Sequence, residues 1–152
     1  MRILAIDPGE RRLGLAVSDP TGLIAMPLEV IERAGWAKDL ARLRHILETY
    51  QIVEIVVGLP LTGAGTAGPQ AQAAARFAER LRSSLALPVT EVDERYSTAA
   101  ADRSLRETGG GRATRRLRRD AVAAALILQP YLDRARRNEP LRGSGGDAML
   151  AP

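Results

Sequence analysis

Ile52, Val53, Ile55, Val56 and Val57 form an almost unbroken apolar stretch, interrupted only by Glu54. That is the pattern of a strand buried on both faces, and it demands a layer of structure on each side of a sheet. The flanking sequence supplies both the sheet and the layers. Ile3 to Ile6 run into Asp7-Pro8-Gly9, and Leu13 to Val17 run into Ser18-Asp19-Pro20, which predicts two strands joined by a tight turn. Leu28 to Ile31 predict a third strand that completes an antiparallel meander. Leu40, Leu43, Ile46 and Leu47 recur at helical spacing between Trp36 and Tyr50. After the doubly buried strand, a loop with Gly63, Gly65 and Gly68 leads to an alanine-rich helix over 69–85 and a strand from Val89 to Val92, a βαβ unit. A helix is expected from Ser97-Thr98 to Glu107, broken by Gly109-Gly110-Gly111. The last helix, from Arg115 to Arg137, places Asp120, Ala123, Ala124, Ile127 and Leu128 on one face. The sequence therefore predicts one α/β domain over 1–137, with a mixed five-stranded sheet flanked by helices. Residues 138–152 read as a disordered C-terminal tail.

Three carboxylates interrupt this apolar framework. Asp7 and Glu94 close strands, and Asp120 lies on the helix face that is otherwise apolar. An ionised group against a core is costly unless a cation or hydrogen-bond donors compensate it, so the three together suggest a metal cluster. Each has a simpler reading as well. Asp-Pro-Gly is good turn chemistry, and Asp120 could cap its helix or pair with Arg116 or Arg119. Ligands of open α/β sheets gather at the carboxyl ends of strands, where Asp7 and the Asp93-Glu94 pair both fall.

Composition narrows the chemistry. The chain has no cysteine and one histidine, His45, so any metal must take oxygen ligands, which favours Mg²⁺ or Mn²⁺ over zinc. A cluster of three acids can hold two divalent ions about 3.5–4 Å apart, which suits phosphodiester hydrolysis without a nucleophilic side chain. No Ser/His/Asp set and no Walker-type loop offers another route. With 152 residues, 45% of them hydrophobic, the chain suits a single core and cannot supply the two lobes that clamp ATP in actin-like or sugar-kinase ATPases. No apolar run reaches membrane-spanning length and no signal peptide is visible, so a soluble, cytoplasmic protein is expected. The net charge of +4 is uneven: residues 95–142 hold twelve arginines against five acids, and the remainder is mildly acidic. A basic C-terminal third is what a nucleic-acid-binding face produces, although compositional preference for arginine would give it too.

Four segments carry a resemblance. Asp7-Pro8-Gly9-Glu10-Arg11-Arg12-Leu13-Gly14, Gly58-Leu59-Pro60-Leu61, Val92-Asp93-Glu94-Arg95-Tyr96-Ser97-Thr98 and Asp120 to Leu128 are similar, in that order, to the motifs of the YqgF family, also called RuvX. The resemblance spans about residues 1 to 137. It implies an RNase H-like fold and a metal-dependent nuclease acting on structured nucleic acid, either resolving four-way (Holliday) DNA junctions or processing the 5′ end of precursor 16S rRNA. By the same resemblance the acidic triad is Asp7, Glu94 and Asp120. Asp93 is a further candidate, but neighbours on a strand point to opposite faces and the motif favours Glu94. Arg12 and Arg95 would contact phosphate, with Ser97 and Thr98 offering hydroxyls or a helix N-terminus. Arg112, Arg115, Arg116, Arg118 and Arg119 would flank the metal site and guide a polyanion past it. Two ions would be bound with substrate, and junction resolution would call for a homodimer. The rival reading is a nucleic-acid-binding module of the same fold that does not cut.

Overall fold

The structure is a computed structural model and describes residues 1–60, 68–94 and 119–137. The strands are β1 (Arg2–Pro8), β2 (Arg12–Ser18), β3 (Ala25–Glu32), β4 (Ile52–Leu59) and β5 (Val89–Asp93), and the helices are α1 (Trp36–Thr49), α2 (Pro69–Ser84) and residues 119–137 (α3). The sheet order is β3-β2-β1-β4-β5. β1, β2 and β3 pair antiparallel, while β4 lies parallel to β1 and β5 parallel to β4. This is the RNase H-like mixed sheet that the resemblance implies.

Alternation along the strands sorts the core into two layers. Leu4, Ile6, Leu13, Leu15, Ile55 and Val57 pack with Leu43, Ile46, Phe77 and Leu81 of α1 and α2. The intervening Ala5, Ala16 and Val56 pack with Ala124, Ala125, Ile127, Leu128 and Leu132 of α3. Large side chains fill one face and small ones line the other, so α3 sits close to the centre of the sheet. Its far end is fixed to the β2–β3 connection. Gln129 accepts from the Ala25 N–H at 2.9 Å and donates to the Leu23 carbonyl at 2.9 Å.

β3 begins at Ala25, three residues earlier than the apolar run from Leu28 suggests. Two features hidden from the apolar pattern explain the longer strand. Pro27 stands on an edge strand, where a missing N–H is tolerated, and the pairing absorbs an irregularity between Leu15 and Ala16. Asp19 organises the preceding turn, its Oδ1 accepting from the Leu23 and Ile24 N–H groups at 2.9 and 3.0 Å. The helix expected from Ser97-Thr98 to Glu107, the Gly109–Gly111 break, the start of the last helix at Arg115 and the tail beyond 137 lie outside the described residues.

Candidate functional site

Strand parity decides which carboxylates meet. Asp7 shares the face of Ala5, Gly58 shares that of Val56, and Glu94 follows Val92, so all three face the α3 side of the sheet. Asp7 pairs with Gly14 across β1 and β2, and the Glu94 N–H donates to the Leu59 carbonyl at 3.2 Å, which holds Glu94 beside the end of β4. Asp93 falls on the other parity and is exposed.

Two glycines make the convergence possible. A Cβ on Gly14 would stand 2.1 Å from the backbone oxygen of Asp120, so the backbone of α3 passes directly over β2 at the residue paired with Asp7. A Cβ on Gly58 would meet the Glu94 Oε2 at 2.5 Å. Any side chain at either position would push a carboxylate out of the group. Each is an isolated glycine inside an apolar strand, a signal of close approach in its own right.

The Asp7 and Glu94 carboxyls lie in hydrogen-bonding contact with each other. Burial raises the Asp7 carboxyl above its ordinary range, and the charge on Asp120 adds to that rise. Burial, followed by the charge of Asp7, pushes Glu94 up to about 8. Two acids at one site that resist joint ionisation titrate as a pair. Asp120 has a different neighbour: Arg12 Nε donates to its Oδ2 at 3.0 Å. Its side chain is 31% exposed, because the buried stripe of α3 runs through Ala121, Ala124, Ala125, Leu128 and Leu132 and leaves Asp120 at its border. Ala123, expected on that stripe, is only half-buried.

Asp7 and Glu94 open onto a cleft of about 710 Å³ at the strand ends, whose other walls include Glu10, Arg33 and the start of α2. All three acids offer only carboxylate oxygens, the donor set of a hard divalent cation, and a cation would offset the burial and mutual repulsion that raise the Asp7 and Glu94 carboxyls. As they stand, no three acidic or histidine side chains among the described residues are gathered tightly enough to enclose an ion. Asp7 and Glu94 pair with each other, and Asp120 is held by Arg12.

Of the residues expected on nucleic acid, Arg12 is engaged with Asp120, and Arg119 is exposed on α3 next to it. Arg95, Ser97, Thr98, Arg112, Arg115, Arg116 and Arg118 lie outside the described residues. Arg33 lines the cleft and was not singled out by any motif. No helix among the described residues is long and apolar enough to cross a membrane.

Comparison with known proteins gives a consistent set of likenesses. The family described as RuvX, Holliday junction resolvase, matches residues 1–134. A Symbiobacterium thermophilum protein named "Putative pre-16S rRNA nuclease" is 50% identical over 133 residues, which cover 88% of this chain and 92% of that protein. A protein of the same name from Moorella thermoacetica is 46% identical over 138 residues, covering 91% of this chain and 99% of its own. Among solved structures, a Fowlpox virus resolvase in complex with Holliday junction DNA has a TM-score of 0.54 at 12% identity, over 89% of this chain and 99% of that one. At that identity the likeness concerns the fold alone.

Proposed function

This chain belongs to the RuvX family, and from that membership we propose that it hydrolyses phosphodiester bonds in structured nucleic acid at the cleft bounded by Asp7 and Glu94. The observation that carries the site assignment is geometric: Asp7 and Glu94 line one cleft at the strand ends, with Glu94 packed against Gly58 and the backbone of Asp120 packed over Gly14 beside them. Asp7, Glu94 and Asp120 would hold Mg²⁺ or Mn²⁺. When bound, the divalent cations would lower the pKa of water and offset charge on the leaving oxygen, as in two-metal nucleases.

The residues themselves account for readiness. A divalent cation at this site would favour ionised Glu94, because the same burial that raises its carboxyl strengthens its attraction to a cation. Arg12 holds Asp120 in place meanwhile, and on release its guanidinium is positioned to meet a backbone phosphate. Gly14 and Gly58 keep the three acids within reach of one another.

The name borne by relatives at 46–50% identity favours precursor 16S rRNA as substrate. The family description favours a four-way DNA junction as the second reading, and that reaction would use a homodimer so that two strands are cut symmetrically. A cytoplasmic location accords with either. The test incubates the protein with a ribosomal precursor mimic and with a labelled four-way junction, in Mg²⁺, in Mn²⁺ and in EDTA. Cleavage of the RNA in either metal and none in EDTA is expected. Binding of both substrates without cleavage of either would contradict the proposal and favour the non-cutting module.

A further inference from the structure

The cleft carries three acids, Asp7, Glu10 and Glu94, and a single cation among the described residues, Arg33. The wall opposite, the first turns of α2 through Pro69, Gln70, Ala73 and Ala74, contributes no ionised side chain. Among the described residues of the cleft, a nucleic-acid strand would meet these acids and, as counter-charge, the Arg33 guanidinium.

Arg33 is held in an unusually defined position for a residue in a connection. It follows the last residue of β3, and its backbone N–H donates to the Arg11 carbonyl at 2.8 Å. Its Nη1 donates to the carbonyl of Gly9, two residues beyond Asp7, at 2.8 Å. Its Nε lies 3.9 Å from Oδ2 of Asp39, a carboxylate only 3% exposed whose other oxygen accepts from the Ala34 N–H. The guanidinium carbon stands 5.4 Å from the centroid of the Phe77 ring. The side chain is nevertheless 31% exposed. A guanidinium has five N–H donors in a planar fork, so the bond to Gly9 leaves donors for an oxyanion. With its rotamer fixed by Gly9, Asp39 and Phe77, Arg33 would lose little further entropy on gripping a ligand.

We propose that Arg33 binds a backbone phosphate flanking the bond that is cut, and so sets the position of the nucleic-acid strand in the Asp7–Glu94 cleft. This rests on the nuclease reading of the same cleft. A phosphate there would be drawn to the Arg33 guanidinium and held away from the acids, which keeps them free for metal.

The test measures binding of a fluorescein-labelled RNA hairpin with a single-stranded extension, in Ca²⁺ rather than Mg²⁺ to hold the strand uncut, across a salt series. Loss of one phosphate contact lowers the slope of log K against log salt by roughly 0.7–0.9. Arg33→Gln and Arg33→Met, which keep a side-chain stem over Phe77, are expected to show that drop and a weaker Kd. Arg42→Gln removes the same charge from α1, where Arg42 pairs with Glu29 of β3, and should leave the slope as in the wild type. An unchanged slope in folded Arg33 variants overturns the proposal. Because Arg33 also braces the corner between β3 and α1, a second measurement uses the unaltered protein: arginine modification by phenylglyoxal, mapped by mass spectrometry with and without the hairpin. Protection of Arg33 by RNA is expected, and equal modification in both samples overturns the proposal whether or not the variants fold. The nuclease reading stands or falls separately, on cleavage by the unaltered protein in Mg²⁺ or Mn²⁺.

Discussion

At the scale of single residues, the site is defined as much by missing side chains as by charged ones. Gly14 and Gly58 admit the backbone of Asp120 and the carboxyl of Glu94, and the resulting crowding makes the acids unwilling to ionise together. This has a measurable consequence for stability. Glu94 rises from an ordinary 4.5 to about 8, so without a cation the folded chain holds its proton more tightly than the unfolded chain does. That contribution is fully present below pH 4.5 and is lost as the pH rises through about 8. In EDTA the wild type should therefore be less stable at pH 8.5 than at pH 5, by roughly 2–3 kcal/mol once screening in the partly open site is allowed for, and melt at a correspondingly lower temperature. Glu94→Gln cannot ionise and should show a flatter dependence. Thermal denaturation across this range checks it, and parallel curves for the two proteins would contradict the raised Glu94 carboxyl. Asp19 carries the opposite sign: its hydrogen bonds in the turn lower it to about 2, so its contribution is present above the ordinary carboxylate range and lost only in strong acid. Asp7 and Glu94 were legible in the sequence as costly carboxylates, whereas Asp120, read the same way, is 31% exposed and paired with Arg12. Arg33 was not, since nothing local marks a lone arginine after a strand, and its partners Gly9, Asp39 and Phe77 are brought to it by the fold.

At the scale of elements, α3 is the part whose placement matters most to the site. It rests on Ala5 and Ala16 through Ala124 and Ala125, with Leu128 and Leu132 filling the remainder. Small residues on both surfaces let Asp120 reach the strand ends, and Gln129 and Tyr131 anchor the helix further along, Tyr131 donating to Glu54 on β4. Ala124 is fully buried in this contact. Ala124→Leu should overpack it, costing about 1–3 kcal/mol and shifting α3 away from β2. The folded variant should lose roughly 10- to 100-fold in kcat, because a displacement near 1 Å is enough to spoil the alignment of reacting groups. Urea denaturation together with cleavage rates checks this, and a kcat equal to wild type in the folded variant would show that the seat of α3 does not set the site. The alanine-rich stretch around 124 was legible as a helix that approaches its sheet closely. Its orientation was less so: the buried stripe is centred on Ala121, Ala124 and Leu128, and Asp120 lies at its border. The period of a helix fixes which residues share a face, but the tilt of that face against the sheet depends on the strands beneath it. The same limit hid the early start of β3, where Pro27 and a pairing irregularity mask a strand that the edge position tolerates.

At the scale of the whole molecule, a sheet with bulky residues on one face and alanine and glycine on the other produces an asymmetric protein. The α1–α2 side supplies most of the buried apolar volume, and the α3 side brings polar groups to the carboxyl ends of β1, β4 and β5. The antiparallel meander and the parallel strands after it were legible, because the doubly buried β4 and the meander before it admit few arrangements; the order β3-β2-β1-β4-β5 comes from the fold. The contact between Arg12 and Asp120 was not, since the two stand 108 residues apart and an arginine beside a phosphate-binding motif reads first as a phosphate ligand. The proposed nuclease site is the cleft that Asp7 and Glu94 line, and the account depends on Asp7 being at its centre. The most direct measurement is cleavage of the ribosomal precursor mimic in Mg²⁺ or Mn²⁺ by wild type and by Asp7→Asn, with circular dichroism confirming that the variant is folded. The account predicts a loss of roughly 100-fold or more in the variant, since replacing a carboxylate ligand removes both charge and a donor oxygen. Undiminished cleavage by folded Asp7→Asn would contradict it.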